Sequence, residues 1–335
     1  VHGRCFCLVT DTMKPAFSVI FLTTLIGAAQ GLFLALFTHQ TYALFGLLPM
    51  QSDAYYGYGS ALALLFLGGG LVASFFHLGR PERAWRSATQ WRTSWLSREV
   101  IVLPAFMGLV FLYGAAHLSG FRPEIATLPG GFVLDLTFVL GVVGTLLAFL
   151  LFLCTGMIYA CIRFLREWAS PLTIVNYILM GGSSGFILAA LYSAVTAPDQ
   201  TGFFAGWAII ITVLALLGRT ASLVRNARLK PKSTIQTAIG IKHPRITQRS
   251  MGAMGGSFNT REYFHGMSLA FMCRMKPVFM LLAFAVPLAF LAAGASTAEM
   301  LGAAFVVQYF GLLAERWFFF AQANHPQNLY YQTIG

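Results

Sequence analysis

Residues 77 to 99 hold the densest group of reactive side chains in the sequence. The stretch reads His77-Leu78-Gly79-Arg80-Pro81-Glu82-Arg83-Ala84-Trp85-Arg86, then Trp91-Arg92-Thr93-Ser94-Trp95-Leu96-Ser97-Arg98-Glu99. A histidine closes one apolar run and a carboxylate opens the next, with arginines and tryptophans between them. Histidine exchanges protons near neutral pH, and a carboxylate can relay them. Arginine charge stabilises developing anions, and tryptophan rings offer flat apolar walls. A quinone head group needs this set: ring contact, hydrogen-bond partners for two oxygens and a proton path. A plainer account covers the same residues. Arginines in a short cytoplasmic loop are ordinary topological charge, and tryptophans at an interface form an ordinary belt. The residues alone leave both readings open.

The elements that carry this loop are apolar. The chain has 335 residues, of which 57% are hydrophobic and 10% charged, against about 25% charged in a soluble domain. Mean hydropathy is +0.71. A soluble core cannot absorb that much apolar surface, so lipid must be the solvent. Apolar runs recur near the ~20 residues that a helix needs to cross hydrocarbon, and helices satisfy their own backbone polar groups there. The runs do not alternate as barrel strands would. They predict an all-α integral membrane protein with eight transmembrane helices, at roughly 16–38, 57–78, 99–119, 133–162, 172–196, 203–224, 277–296 and 299–321. The fourth looks long enough to run past the membrane, and the last two form a tight hairpin. Residues 13–335 read as one domain with a basic loop at 225–276. Residues 1–12 read as a non-native or disordered extension, with Met13 as the expected start.

Net charge is +11. In a soluble protein this would suggest nucleic acid, but here the charge falls between spans, where topology and anionic lipid explain it. Of the 22 lysines and arginines, all but Arg122 fall on one side of an eight-span arrangement. That side is expected to be cytoplasmic and to hold both termini.

Other residues carry weaker signals. Cys5, Cys7, Cys154, Cys161 and Cys273 have no cluster or metal spacing and read as structural. Gly68-Gly69-Gly70 and Gly181-Gly182-Ser183-Ser184-Gly185 read as close helix packing ahead of a broken helix at a transport site. Asp135, Glu299, Glu315, His39 and His117 fall near span ends, so the membrane interior is expected to be inert. A transporter would need a midplane site, which lowers that alternative. His39 and His117 fall at the outer ends of two spans. They give a second alternative, a b-type haem anchor with histidine axial ligands.

The motifs HLGRPERAW and SWLSRE, with His77 and Glu99 spaced 22 residues apart, resemble the DMSO reductase anchor subunit (DmsC) family. So do KSTIQTAIGIKHPRITQ (232–248), GGSFNTREYFHG (255–266) and AERWFFFAQANHPQNLYYQ (314–332). The resemblance covers essentially residues 13–335. It implies the membrane anchor of a three-subunit oxidoreductase in a bacterial inner membrane. The partners would be a molybdopterin catalytic subunit and a four-cluster iron–sulfur subunit. The anchor would exchange electrons with ubiquinone or menaquinone and hold neither haem nor cluster. In the family's pattern His77, Glu99 and Arg83 are tied to the quinone site; Arg80 and Arg98 are added here from their position. Since the site falls on the expected cytoplasmic side, the partners should dock there, as in a sulfite dehydrogenase-type complex. The sulfite-oxidising complex is the favoured reading; a reductase of DMSO, an S- or N-oxide or polysulfide is the alternative, with electrons running the other way. The 225–276 loop is the expected docking element. The tail, with Trp317, Phe318, Tyr330 and Tyr331, is expected to dock or to belt the interface.

Overall fold

The computed structural model describes residues 17–76, 78, 80–127, 133–230, 234–246, 269–294 and 296–323. Among them, eight helices are long and apolar enough to cross a membrane. They are α1 (Phe17–Leu44), α2 (Asp53–Phe75), α3 (Trp95–Ser119), α4 (Leu136–Ala160), α5 (Pro171–Thr196) and α6 (Thr201–Ala227). The last two are α7 (Leu269–Met280, continuing through Val286–Ala292) and α8 (Ala298–Ala321). A 3-10 helix at Pro81–Ala88 lies between α2 and α3, and a single helical turn at Ile235–Ile239 follows α6.

α1 and α5 form the centre. In each, 72% of the most apolar window is buried inside the protein, against 28% for α2 and α6. Their crossing is made by glycine. A Cβ on Gly31 would collide with the Gly181 carbonyl oxygen, and one on Gly185 would collide with the Gly31 backbone. Small residues let backbones approach where lipid supplies no hydrophobic drive for association. The Gly181–Gly185 run is therefore a packing seam, and α5 passes through it unbroken. The outer helices turn large apolar side chains outward: Leu65, Phe111, Leu146, Leu217 and Phe310 are each at least 60% exposed. On a soluble protein such a surface would be a liability; against hydrocarbon it is the expected exterior.

Polar caps fix where helices begin. Ser52, Ser94, Asp135, Ser170 and Thr297 each accept a hydrogen bond from a backbone N–H of the helix they precede, satisfying a donor that has no intrahelical partner.

Several expected boundaries move. α1 runs on to Leu44, because His39 and Gln40, which look like a polar end in sequence, are buried and hydrogen-bonded to Tyr56 and Thr137. The fourth span is not overlong. Residues 133–135 form strand β2 (Val133–Asp135), paired antiparallel with β1 (Glu124–Thr127), and Asp135 then caps α4. α7 begins at Leu269 rather than near 277 and absorbs Arg274, Lys276 and Pro277 into its first half. It contains a π-helical segment, Leu281–Ala285. There Gly311 of α8 packs so closely that a Cβ would collide with the Ala283 nitrogen, and Gln308 Nε2 donates to the Ala283 carbonyl at 3.3 Å. Trp317 and Phe318 are corrected too. They lie within α8 and are 8% and 1% exposed, part of the packed core. Tyr330, Tyr331, residues 1–12, and residues 231–233 and 247–268 of the 225–276 loop lie outside the described residues.

Candidate functional site

Ser94 caps α3, so Glu99 falls in the second turn of that helix, just inside the bundle. Its Oε1 accepts a hydrogen bond from Thr155 Oγ1 of α4 at 2.5 Å. The carboxylate faces a narrow cavity lined also by Gln30 of α1, Tyr177 and Met180 of α5, and Arg316 of α8. Leu22, Ile26, Phe152 and Leu312 complete it with apolar walls. Apolar walls with a few converging polar groups are the usual make-up of a small-molecule site.

Arg316 dominates the wall opposite Glu99. Its guanidinium carbon stands 3.8 Å from the centre of the Tyr177 ring, and Tyr177 stacks in turn on Tyr159, with centroids 5.9 Å apart and planes 4° apart. The Nη2 group lies 4.0 Å from the weak acceptor Met180 Sδ. Behind Arg316 lies a buried ion cluster. Glu315, fully buried, pairs Oε1 with Arg219 Nε of α6 at 2.8 Å and Oε2 with Arg316 Nε at 3.4 Å. Arg219 also lies over the rings of Phe279 and Phe318.

The residues expected from the loop separate. Glu99 lines the cavity, whereas His77 lies outside the described residues. Arg80 is exposed at the start of the 3-10 helix, and the half-exposed Arg83 side chain approaches Glu82, at 4.0 Å. Arg98 donates from Nε and Nη2 to the carbonyls of Trp91 and Arg92, both at 2.9 Å, and stacks on Trp95. The tryptophans pair with arginines in the same way, Arg86 over Trp85 and Arg92 over Trp91. These are cation–π pairs, and none of the three indole rings lines the cavity.

Sequence reasoning misses the ion cluster. The expectation of an inert interior is corrected by Arg219, Glu315 and Arg316, which are 4% exposed or less inside the helical bundle. A signal for it exists: ionisable residues inside apolar runs are functional candidates by default. Along the sequence, however, Arg219 and Arg316 count as surface charge and Glu315 as a span-end residue.

The histidines of the haem alternative sit at the far end of the bundle. His39 uses both ring nitrogens, Nδ1 with Tyr56 Oη at 2.9 Å and Nε2 with Gln200 Oε1 at 3.0 Å. His117 stacks on the Tyr56 ring, with centroids 4.8 Å apart, and approaches Asp53 at 3.0 Å. Tyr56 contacts both histidines, which joins them in one hydrogen-bonded and stacked network.

The fold and cavity define a multi-pass helical membrane protein whose buried charges gather around one pocket near one end. Residues 11–320 match the family described as DMSO reductase anchor subunit (DmsC). The chain is also 54% identical to a sulfite dehydrogenase subunit of Allochromatium vinosum over 327 residues, which cover 96% of this chain and 100% of that protein. The chain belongs to the DMSO reductase anchor subunit family.

Proposed function

We propose that this protein is the quinone-reactive membrane anchor of an oxidoreductase complex. Its partners are an iron–sulfur subunit and, beyond that, a molybdopterin catalytic subunit. The observation that carries the reading is the cavity that puts the Glu99 carboxylate, the Arg316 guanidinium and the Tyr177 ring around one space. The apolar walls suit a quinone ring. Glu99 and Arg316 suit its two oxygens, one as a proton exchanger and the other as a fixed cation.

The division of labour follows from the contacts. Thr155 holds the Glu99 carboxylate in place, and Glu99 gives or takes a proton at the quinone oxygen. Arg316 offsets negative charge there and, being always protonated, does not compete for that proton. His77 and Arg83 are assigned to the quinone site on the family pattern. Electrons pass singly between the quinone and the nearest cluster of the iron–sulfur partner. That partner docks on the basic loops, at the face the positive-inside rule makes cytoplasmic. With protons and electrons exchanged on one face, the step is non-electrogenic.

The identity to the Allochromatium vinosum sulfite dehydrogenase protein favours a sulfite-oxidising complex that delivers electrons to quinone. The family description supports the reverse direction as the alternative, with quinol driving a reductase. The test is Glu99→Gln in the intact complex, with viologen-driven reduction of decylubiquinone as the readout. Turnover should fall by about a hundredfold or more with assembly unchanged. Turnover at the parent rate would remove Glu99, and with it this cavity, from the quinone reaction.

A further inference from the structure

A second, narrower cavity adjoins the first. Its walls include Glu167, Asn176, Arg219, Ser222, Arg225 and Glu315, and it shares Met180 and Arg316 with the Glu99 cavity. Arg316 is thus a partition with a carboxylate on each side, the partly buried Glu99 ahead of it and the fully buried Glu315 behind. The rear cavity reaches the connection between α4 and α5, where Glu167 is partly exposed, and the end of α6, where Arg225 donates to the carbonyls of Arg166 and Ala169.

Two buried polar atoms on this wall have no partner among the described residues: Asn176 Oδ1 and Arg219 Nη2. Asn176 spends its Nδ2 on Ser222 Oγ at 2.7 Å, which leaves the oxygen aimed elsewhere. Among the described residues, neither oxygen of Glu315 receives a well-directed hydrogen bond, although both face a guanidinium. Buried polar atoms left without partners beside a polar cavity call for water. Replacing a buried ion cluster by apolar packing of similar volume is often neutral or stabilising, so stability alone is a weak account of these charges.

We propose that the rear cavity and the Arg219–Glu315–Arg316 cluster form a hydrated proton route joining the Glu99 cavity to the aqueous face at Glu167. The route rests on the quinone reading above. Reduction of a quinone to a quinol takes up two electrons and two protons. The electrons come from the iron–sulfur partner, and the protons enter from water at the Glu167 end and reach Glu99 by way of Glu315. Quinol oxidation sends two protons out along the same path and two electrons to the partner. Arg316 keeps its own proton in both directions. It holds Glu315 in place and sets the electrostatic barrier between the two halves, and water passes beside it.

The test uses the intact complex with Ser222→Leu, which fills the rear cavity and leaves every charge in place, alongside Glu315→Gln and Glu315→Asp. Decylubiquinone binding is measured separately from viologen-driven decylubiquinone turnover. Ser222→Leu and Glu315→Gln should bind decylubiquinone as the parent does and turn over at least about tenfold more slowly. Glu315→Asp should recover most of the rate, and formate, a small weak acid, should accelerate the Glu315→Gln complex. Parent-like turnover in both variants overturns the route, and so does a slow rate matched by lost binding without formate rescue. If Glu315→Gln does not assemble, Ser222→Leu decides alone. Failure of the quinone reading looks different: decylubiquinone binding and turnover would be unaffected by Glu99→Gln, or binding would be absent from the parent.

Discussion

Thr155 of α4 donates its hydroxyl to Glu99 of α3 at 2.5 Å, tying two neighbouring helices together at the wall of the cavity. A hydrogen bond to a carboxylate is worth more than a neutral one, about 1.5–3 kcal/mol. Here it also fixes which way the acid points.

Thr155→Val removes the donor and keeps the shape. Viologen-driven turnover with decylubiquinone should drop several-fold, and Thr155→Ser should restore it. Parent-like rates in Thr155→Val would show that Glu99 is held by something else.

The ion cluster should be costly to break. Removing one partner of a buried pair leaves an uncompensated charge, at roughly 3–5 kcal/mol. Glu315→Leu leaves Arg219 and Arg316 facing each other, so it should lower the thermal midpoint of the detergent-solubilised complex more than Arg219→Met does. The opposite order would mean that Glu315 is not the common partner.

The α1–α5 seam makes a contrast among glycines. Gly185→Ala drives a methyl group into the Gly31 backbone and should destabilise by about 1–3 kcal/mol, as overpacking does. Gly68→Ala meets nothing within 4 Å and should leave the thermal midpoint where it is. Equal effects at the two positions would contradict the close crossing.

At the opposite end of the bundle, Asp53 binds Arg122 and His117. Its side chain is 41% exposed, so Asp53→Asn should cost no more than about 1 kcal/mol. Decylubiquinone turnover should not change, because the Glu99 cavity lies at the other end of the helices. A large fall in turnover would place quinone chemistry at the wrong end.

Much of this protein is written in its composition. Long apolar runs with few charges can form only helices in lipid, because every backbone polar group must be satisfied within the segment. The eight spans follow from that, and so does Glu99 at the start of one of them. Boundaries are less legible where polar residues sit inside the bundle. His39 and Gln40 look like a helix end in sequence, yet partners from α2 and α4 and from the residue before α6 bury them.

The site needed the tertiary structure. Glu99, Thr155, Tyr177 and Arg316 come from four helices, and no spacing along the chain relates residues that meet only when helices pack. The same holds for charge. Arg219 and Arg316 have the residue type of the loop arginines, and only packing separates a cation that sets topology from one paired to a buried carboxylate. The sequence by itself determined that the chain lives in lipid, how often it crosses and which loop is rich in arginine, since these depend on local composition. Tertiary structure decided that Arg86, Arg92 and Arg98 stack on tryptophans outside the cavity while Arg316 lines it with Glu99, because that choice depends on which helix faces meet.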